Sequence, residues 1–288
     1  MIDRSGNSYG SLFMRRLKRQ PSAVIGFILI TVYLIVAVFA GVLAPYSPVE
    51  QHAKDRLQPP NPTYWLGTDE FGRDILSRIM YGATSSLRVA LISVMISAFI
   101  GTMLGTIAAY AGGAVDQALT PLNDLLFAFP AILLALTIAA ALGPGMRNTI
   151  IAISIVYLPI FARVARASVL TIKQQDYIEA SRSLGASHAR IIVRHILPNS
   201  LSPTIVQVSL ALSWAILTEA SLSFLGLGTV PPDPSWGSML SESRVMMELA
   251  PWMAIVPGIA IMISILGFNL MGDGLRDALD PRLTGKRV

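Results

Sequence analysis

Long runs of uncharged apolar residues recur along this 288-residue chain and constrain its fold more than any other feature. A helix needs about 20 apolar residues to cross a hydrocarbon core of about 30 Å. Runs of this kind predict membrane spans at residues 23–43, 89–111, 125–142, 201–227 and 249–272. Only 14% of the residues are charged, whereas soluble domains average about 25%. We therefore predict an all-α polytopic membrane protein and exclude a disordered chain or a typical soluble enzyme.

A sixth apolar stretch, residues 148–162, is short enough for a re-entrant helix, and the placement of basic residues decides the matter. If this stretch crosses the bilayer and both termini are cytoplasmic, most of the 22 Lys and Arg residues lie inside. If it does not cross, the basic segment 163–199 lies outside, which the positive-inside rule disfavours. We therefore predict six transmembrane helices with cytoplasmic N and C termini.

This topology divides the chain into a cytoplasmic amphipathic segment, residues 1–22, and one transmembrane domain, residues 23–288. Two long outer loops are predicted at residues 45–88 and 228–248. A signal peptide is the alternative for the first span, but its apolar run exceeds the usual core of about 7–15 residues. The net charge of +5 reflects topology, so the lipid bilayer and not nucleic acid is the predicted partner.

Metal binding is not predicted. The chain has no cysteine, which excludes disulfides and thiolate metal sites. Its three histidines, His52, His188 and His195, are scattered without the spacing of a helical ligand pair.

The basic segment 163–199 has the pattern of a helix, a glycine turn and a second helix. A helix is predicted from Asp176, and Gly185 follows where a left-handed residue would end it. Ser187 then has the position of an N-cap for a helix over 189–197, which Pro198 would end. From these residues alone, two amphipathic helices on the membrane surface are favoured over a docking element, and a DNA-binding helix-turn-helix ranks third.

The same segment resembles a known motif. Glu179-Ala180-Ser181, then Gly185, then Ile196-Leu197-Pro198 resembles the "EAA" loop of binding-protein-dependent ABC importer permeases, with Ser181 where a second Ala is usual. Residues 65–83, 223–237 and 268–282 are similar to segments of the C-type permeases of dipeptide, oligopeptide and nickel importers. Pro121 departs from the family pattern, which often has a basic residue there.

The resemblance implies a type I ABC importer transmembrane fold in the bacterial cytoplasmic (inner) membrane. It implies ATP-driven uptake of di- or oligopeptides, with nickel complexes, glutathione or another small solute as the alternative. The implied partners are a homologous B-type permease, two ATPase subunits and an extracytoplasmic binding protein. Because the chain has no G-x-x-x-x-G-K-[S/T] phosphate loop, we expect that it is not an enzyme and that it binds no cofactor itself. ATP and Mg would act through the partner subunits. An ion-coupled secondary transporter is the less favoured class, since only one acid is buried in a span.

Three groups of candidate site residues follow. Glu219, the one ionisable residue well inside a span, is either a pathway-lining acid or a structural hydrogen-bond partner of Ser221, Thr218 or a neighbouring helix. The resemblance assigns ATPase coupling to Tyr177, Glu179, Ala180, Ser181, Arg182 and Gly185. An outer gate or binding-protein dock is expected at Trp65, Asp69, Arg73 and Trp236. For the two tryptophans, anchoring in the membrane interface is the simpler alternative.

Overall fold

The computed structural model of the protein describes residues 20–279, and these are predominantly helical, with no strand among them beyond one isolated bridge. The predicted N-terminal amphipathic segment, residues 1–22, lies almost wholly outside the described residues. Residues 280–282, which end the C-terminal segment that resembles the family, also lie outside them. The helices are α1 Pro21–Leu43, α2 Ile75–Ala111, α3 Gly113–Ala128, α4 Ala131–Leu142, α5 Met146–Ile172, α6 Asp176–Ser183, α7 His188–Ile191, α8 Leu197–Phe224, α9 Trp236–Ser243 and α10 Trp252–Leu279.

Five stretches of the described chain are long and apolar enough to cross a membrane: α1, α2, α5, the continuous α7–α8 stretch, and α10. Helices α3 and α4 pass the same test together, although they meet at an angle of 93°. Counting that bent pair as one span gives the six spans that the sequence predicts.

The third span differs from the one predicted over residues 125–142, an apolar run that contains Pro130. It starts earlier, at Gly113, before the predicted span, and it breaks at Phe129 and Pro130. Proline has no N–H and forces the preceding residue out of the helical region, and Phe129 accordingly has φ −85° and ψ 138°. The two halves form an elbow, the name we use for residues 113–142.

Helix ends differ from the predicted span limits where capping groups act. Helix α2 begins at Ile75, within the predicted outer loop 45–88, because the Asp74 carboxylate accepts the Ser77 N–H at 2.8 Å. Pro198 does not end a helix: a π-helical turn at Ile192–Ile196 joins α7 to α8, and Pro198 lies directly after it in the first turn of α8.

Other ends shift without changing the order of the spans. Helix α5 continues to Ile172, beyond the predicted span 148–162, and α8 stops at Phe224 instead of residue 227. Helix α10 covers Trp252–Leu279 instead of 249–272.

Helices α2 and α5 run parallel and make the most extensive contact in the described chain. Small residues at every fourth position of α2 face α5: Ser93, Ser97, Gly101 and Gly105. The Ser97 hydroxyl donates to the Ser154 carbonyl at 2.8 Å, so the two backbones approach closely. This small-residue spacing packs helices tightly within lipid.

The other spans surround this pair. Helix α8 packs against α2, α5 and α10, and α1 packs against α10 and α2. The α1–α10 contact is also close, because a Cβ on Gly26 would lie 2.5 Å from the Met271 nitrogen.

Gly105→Ala should lower stability by about 1–3 kcal/mol, because a Cβ there would overlap the Ala162 backbone. Gly258→Ala is the matched control, since Gly258 lies in α10 and a methyl group there would meet nothing within 4 Å, so that no loss is expected. Thermal unfolding of the purified protein measures both. Equal unfolding midpoints would contradict the close approach of α2 and α5.

Candidate functional site

Helix α6, Asp176–Ser183, projects from the end of α5 and carries most of the predicted coupling residues. Tyr177, Glu179, Ala180 and Arg182 are exposed, and Ser181 is half-buried. Ile178 points the other way, with 1% of its surface exposed. The helix thus has one buried anchor, and its remaining side chains are exposed or half-buried.

A sharp turn at Gly185 ends α6, as the sequence predicts. Gly185 has φ +79°, a region that side-chain-bearing residues rarely adopt, and a Cβ would meet nothing within 4 Å. Conformation, not space, therefore requires glycine here. The Ala186 N–H donates to the Ser181 carbonyl at 3.1 Å, which closes the turn. Ser187 then caps α7 by accepting the Arg190 N–H at 3.3 Å, which confirms the predicted N-cap.

A small buried cluster fixes this segment to the long helices. Its members come from α2, α5, α6 and the start of the α7–α8 stretch: Ala109, Val169, Ile178, Ile191 and Ile196. Lys173 Nζ donates to the Ala109 carbonyl at 2.8 Å, and Tyr110 Oη lies 2.8 Å from His188 Nδ1. A displacement of α6 would therefore be transmitted directly to the ends of α2 and α5.

Leu184 is an exposed apolar residue that was not among the site residues predicted from the sequence. It directly follows α6 and is 88% exposed, and Tyr177 is 42% exposed. Tyr177, Ala180 and Leu184 have helical i, i+3, i+7 spacing and form one apolar stripe. That spacing was the available signal, but a sequence alone does not show which side of so short a helix is buried.

Two ion pairs tie the elbow to α5 just before α6. Arg166 contacts both oxygens of Asp116, at 2.8 and 2.7 Å, and Arg163 Nη2 lies 2.9 Å from Asp124 Oδ1. Pro121 lies between these two acids within α3, and the helix continues through it. The departure from the family pattern therefore leaves this connection in place.

Glu219 is fully buried, with 0% of its surface exposed. Its carboxylate accepts hydrogen bonds from Ser86 Oγ of α2 at 2.9 Å and from Ser223 Oγ at 2.7 Å. The partners suggested from the sequence are engaged elsewhere: Ser221 donates to the Leu217 carbonyl, and Thr218 pairs with Tyr157. These contacts support the structural interpretation, with the neighbouring helix α2 as the partner.

Asp69 and Arg73 belong to a buried network at the other end of α2. Arg73 Nε donates to Asp69 at 2.5 Å, and Arg73 and Arg78 each donate to Glu242 of α9 at 2.8 Å. Burial, and then the carboxylates of Glu242 and Asp69, raise the pKa of the nearby Glu70. The network fastens the loop before α2 to α9.

The two candidate tryptophans of the outer loops differ in position. Trp65 is 69% exposed. Trp236 is only 3% exposed; its indole N–H donates to the Ile79 carbonyl at 3.0 Å, and its ring lies 5.3 Å from that of Tyr33. Trp236 is thus an internal packing residue, with no face toward lipid.

A family model described as "Binding-protein-dependent transport system inner membrane component" matches residues 101–285. A second, "N-terminal TM domain of oligopeptide transport permease C", matches residues 8–60. The chain belongs to the binding-protein-dependent ABC importer permeases. The resemblance found in the sequence is confirmed, including its C-type assignment.

Relatives of this permease cover most of its length. It is 47% identical to the dipeptide transport system permease protein DppC of Alkalihalophilus pseudofirmus, over 93% of this chain and 88% of that one. It is 46% identical to the glutathione transport system permease protein GsiD of Pectobacterium atrosepticum, over 94% and 90%.

A solved structure shares the fold. This permease superposes on a chain of the inward-facing MetNI methionine ABC transporter with a TM-score of 0.57 and 17% identity, covering 72% of this chain and 98% of that one. The role follows from the family and the relatives and not from this fold likeness. The permease is a non-catalytic, multi-pass subunit of an ABC importer in the inner membrane, and it works with ATPase subunits and a binding protein.

Glu219→Leu should destabilise this permease by about 2 kcal/mol, because Ser86 and Ser223 would lose their buried acceptor. Glu219→Gln should retain most of the stability, since an amide still bonds both hydroxyls. Ser221→Ala is the control, because that hydroxyl bonds only within its own helix. Thermal unfolding ranks the three variants, and a Glu219→Leu protein as stable as Ser221→Ala would contradict the structural role.

Proposed function

We propose that this permease conducts short peptides inward across the bacterial cytoplasmic membrane, powered by ATP hydrolysis in separate subunits. Support for the substrate comes from the relatives, which are named as dipeptide and glutathione permeases and are 47% and 46% identical over most of this chain. Both named solutes contain peptide groups.

The observation that carries the mechanism is the exposed face of α6 on a buried anchor. In the proposed mechanism this helix docks in a groove of an ATPase subunit, and its apolar stripe of Tyr177, Ala180 and Leu184 enters the groove. Glu179 and Arg182 supply polar contacts at the rim. Because Ile178 anchors α6 to the ends of α2 and α5, nucleotide-driven closure of the ATPases shifts the long helices between inward-facing and outward-facing states.

The proposed assembly contains a homologous B-type permease, two ATPase subunits and an extracytoplasmic binding protein. In it both termini and α6 are cytoplasmic, which agrees with the density of basic residues around α6. Trp65, exposed on the loop before α2, is the candidate contact for the binding protein. ATP and Mg act only through the ATPase subunits.

Reconstitution of the complete importer in proteoliposomes tests this proposal. Uptake of radiolabelled alanyl-alanine that requires ATP and the loaded binding protein is the expected result. If the importer took up glutathione or a nickel complex instead of the dipeptide, the substrate assignment would be wrong and the proposed ATP-driven mechanism would stand. Uptake driven by a proton gradient without ATP would overturn the proposal.

Gly185→Val should uncouple ATP hydrolysis from uptake, because a β-branched residue at φ +79° costs about 1–3 kcal/mol and reshapes the turn after α6. Gly226→Val is a matched control: Gly226 has φ +80° and equally open surroundings, but it follows α8, far along the chain from α6. The measurement is the number of peptides transported per ATP. The same loss in both variants would contradict a specific role for the Gly185 turn.

Leu184→Asp should reduce copurification of the ATPase subunits about tenfold, since a charge would replace an apolar contact in the groove. Folding should be unaffected, because the side chain is 88% exposed. Val245→Asp is the control, an 82% exposed apolar residue next to α9. If both variants retained the ATPases equally, the stripe on α6 would not be the docking surface.

A further inference from the structure

A cavity of about 380 Å³ lies between the elbow, α5 and α8. Helix α8 contributes Gln207, Leu210, Ala211 and Trp214, which have i, i+3, i+4, i+7 spacing and so form one face. The opposite wall comes mainly from residues around the break in the elbow, among them Phe127 and Phe129, and no charged side chain of the described residues lines the cavity.

Two residues of the α8 face, Gln207 and Trp214, are unusual for a surface in contact with lipid. Gln207 and Trp214 lie on either side of the midpoint of α8, each within about 6 Å of it along the axis. Tryptophan concentrates at membrane interfaces and a side-chain amide is costly in hydrocarbon, yet Trp214 is 60% exposed at mid-span. A lipid-facing position for this pair is therefore unfavourable.

Neighbouring polar side chains of α8 are satisfied inside the protein. Ser213 donates to Asn269 at 2.8 Å, and Thr218 donates to the Trp214 carbonyl at 2.9 Å. Within residues 20–279, no such bond engages the Gln207 amide or the Trp214 indole N–H. These groups are available to a molecule in the cavity.

The opposite wall adds a second, independent feature. The elbow interrupts a membrane span at Phe129 and Pro130, next to the cavity. Interrupted helices at membrane depth are tolerated where they line a cavity or a substrate path and are otherwise costly. The break and the polar pair on α8 therefore point to the same space.

Resting on the proposed function, we infer that this cavity is where the chain contacts a peptide in transit, with Gln207 and Trp214 bonding its main-chain amides. A side-chain amide both donates and accepts, as a peptide group does, and the indole N–H adds one donor. The uncharged lining binds the repeating backbone without selecting for charged side chains. An anion or a metal complex would find no charged partner here.

The position of Glu219 agrees with this assignment. It lies five positions after Trp214, which places the two about 140° apart around α8. The buried acid faces Ser86 of α2, whereas the cavity face is turned toward the elbow. Contacts to the peptide therefore come from the amide and indole groups, and the acid has a structural role.

Cysteine labelling tests the inference directly, because the chain contains no cysteine of its own. Gln207→Cys and Trp214→Cys are compared with Val32→Cys, which is 54% exposed at the midpoint of α1. Each is assembled into the full importer in proteoliposomes and treated with a membrane-impermeant cationic methanethiosulfonate. Positions 207 and 214 should react about tenfold faster than position 32, since the reagent is excluded from hydrocarbon. Saturating alanyl-alanine with its binding protein should slow that reaction.

Transport provides a second measurement. Trp214→Ala and Gln207→Leu should lower dipeptide uptake per ATP about tenfold, as expected for the loss of one contact in transit, while Trp214→Phe should retain part of the activity. The concentration of loaded binding protein needed for half-maximal ATPase stimulation should not change.

The outcomes separate the two proposals. If the unsubstituted importer takes up alanyl-alanine but positions 207 and 214 label as slowly as position 32, lipid or the partner permease covers the cavity. The inference then fails and the proposed function stands. If the importer hydrolyses ATP but takes up no dipeptide, the peptide assignment and the inference fail together.

Discussion

The close approach of α2 and α5 is the constraint on which the rest of this permease depends. Helices gain little by burying apolar surface from lipid, so their association needs tight packing and hydrogen bonds. Small residues at every fourth position of α2 provide the packing, and Ser93 and Ser97 also bond carbonyls of α5, at 3.3 and 2.8 Å. At Gly101 and Gly105 there is no space even for a methyl group.

The functional elements extend from this pair. Helix α5 leads within four residues into α6, and the end of α2 accepts the Lys173 hydrogen bond that holds the turn between them. Helix α8 joins the pair through the Glu219–Ser86 hydrogen bond, and the elbow joins it through the ion pairs of α5. A force applied at α6 therefore reaches a single packed frame, as a coupling mechanism requires.

Three of the charged residues predicted as site residues from the sequence are buried in the structure. Glu219, Asp69 and Arg73 are each no more than 6% exposed, and each has charged or hydroxyl partners close by. In a low-dielectric interior such partners are necessary, because an unpaired charge there is very costly. Among the described residues, the surfaces that we propose for recognition are the face of α6, the exposed Trp65 and the uncharged cavity beside α8.

The sequence by itself determined the elements governed by local chemistry. Apolar run length together with the placement of basic residues set the number of spans. Gly185 and Ser187 set the turn and the cap that follow α6, because each acts on its own backbone. Pro198 was misinterpreted because a π-helical turn at Ile192–Ile196, which no local pattern announced, carries the helix on to it and beyond.

Only the tertiary structure decided what depends on distant residues. The elbow angle, the burial of Trp236 and the pairing of Glu219 with Ser86, 133 residues away, arise from packing between helices. The four-residue spacing of small residues in α2 was visible in the sequence, but nothing local identified α5 as its partner. Periodicity shows that a helix has a contact face, and only the packed bundle shows which helix that face meets.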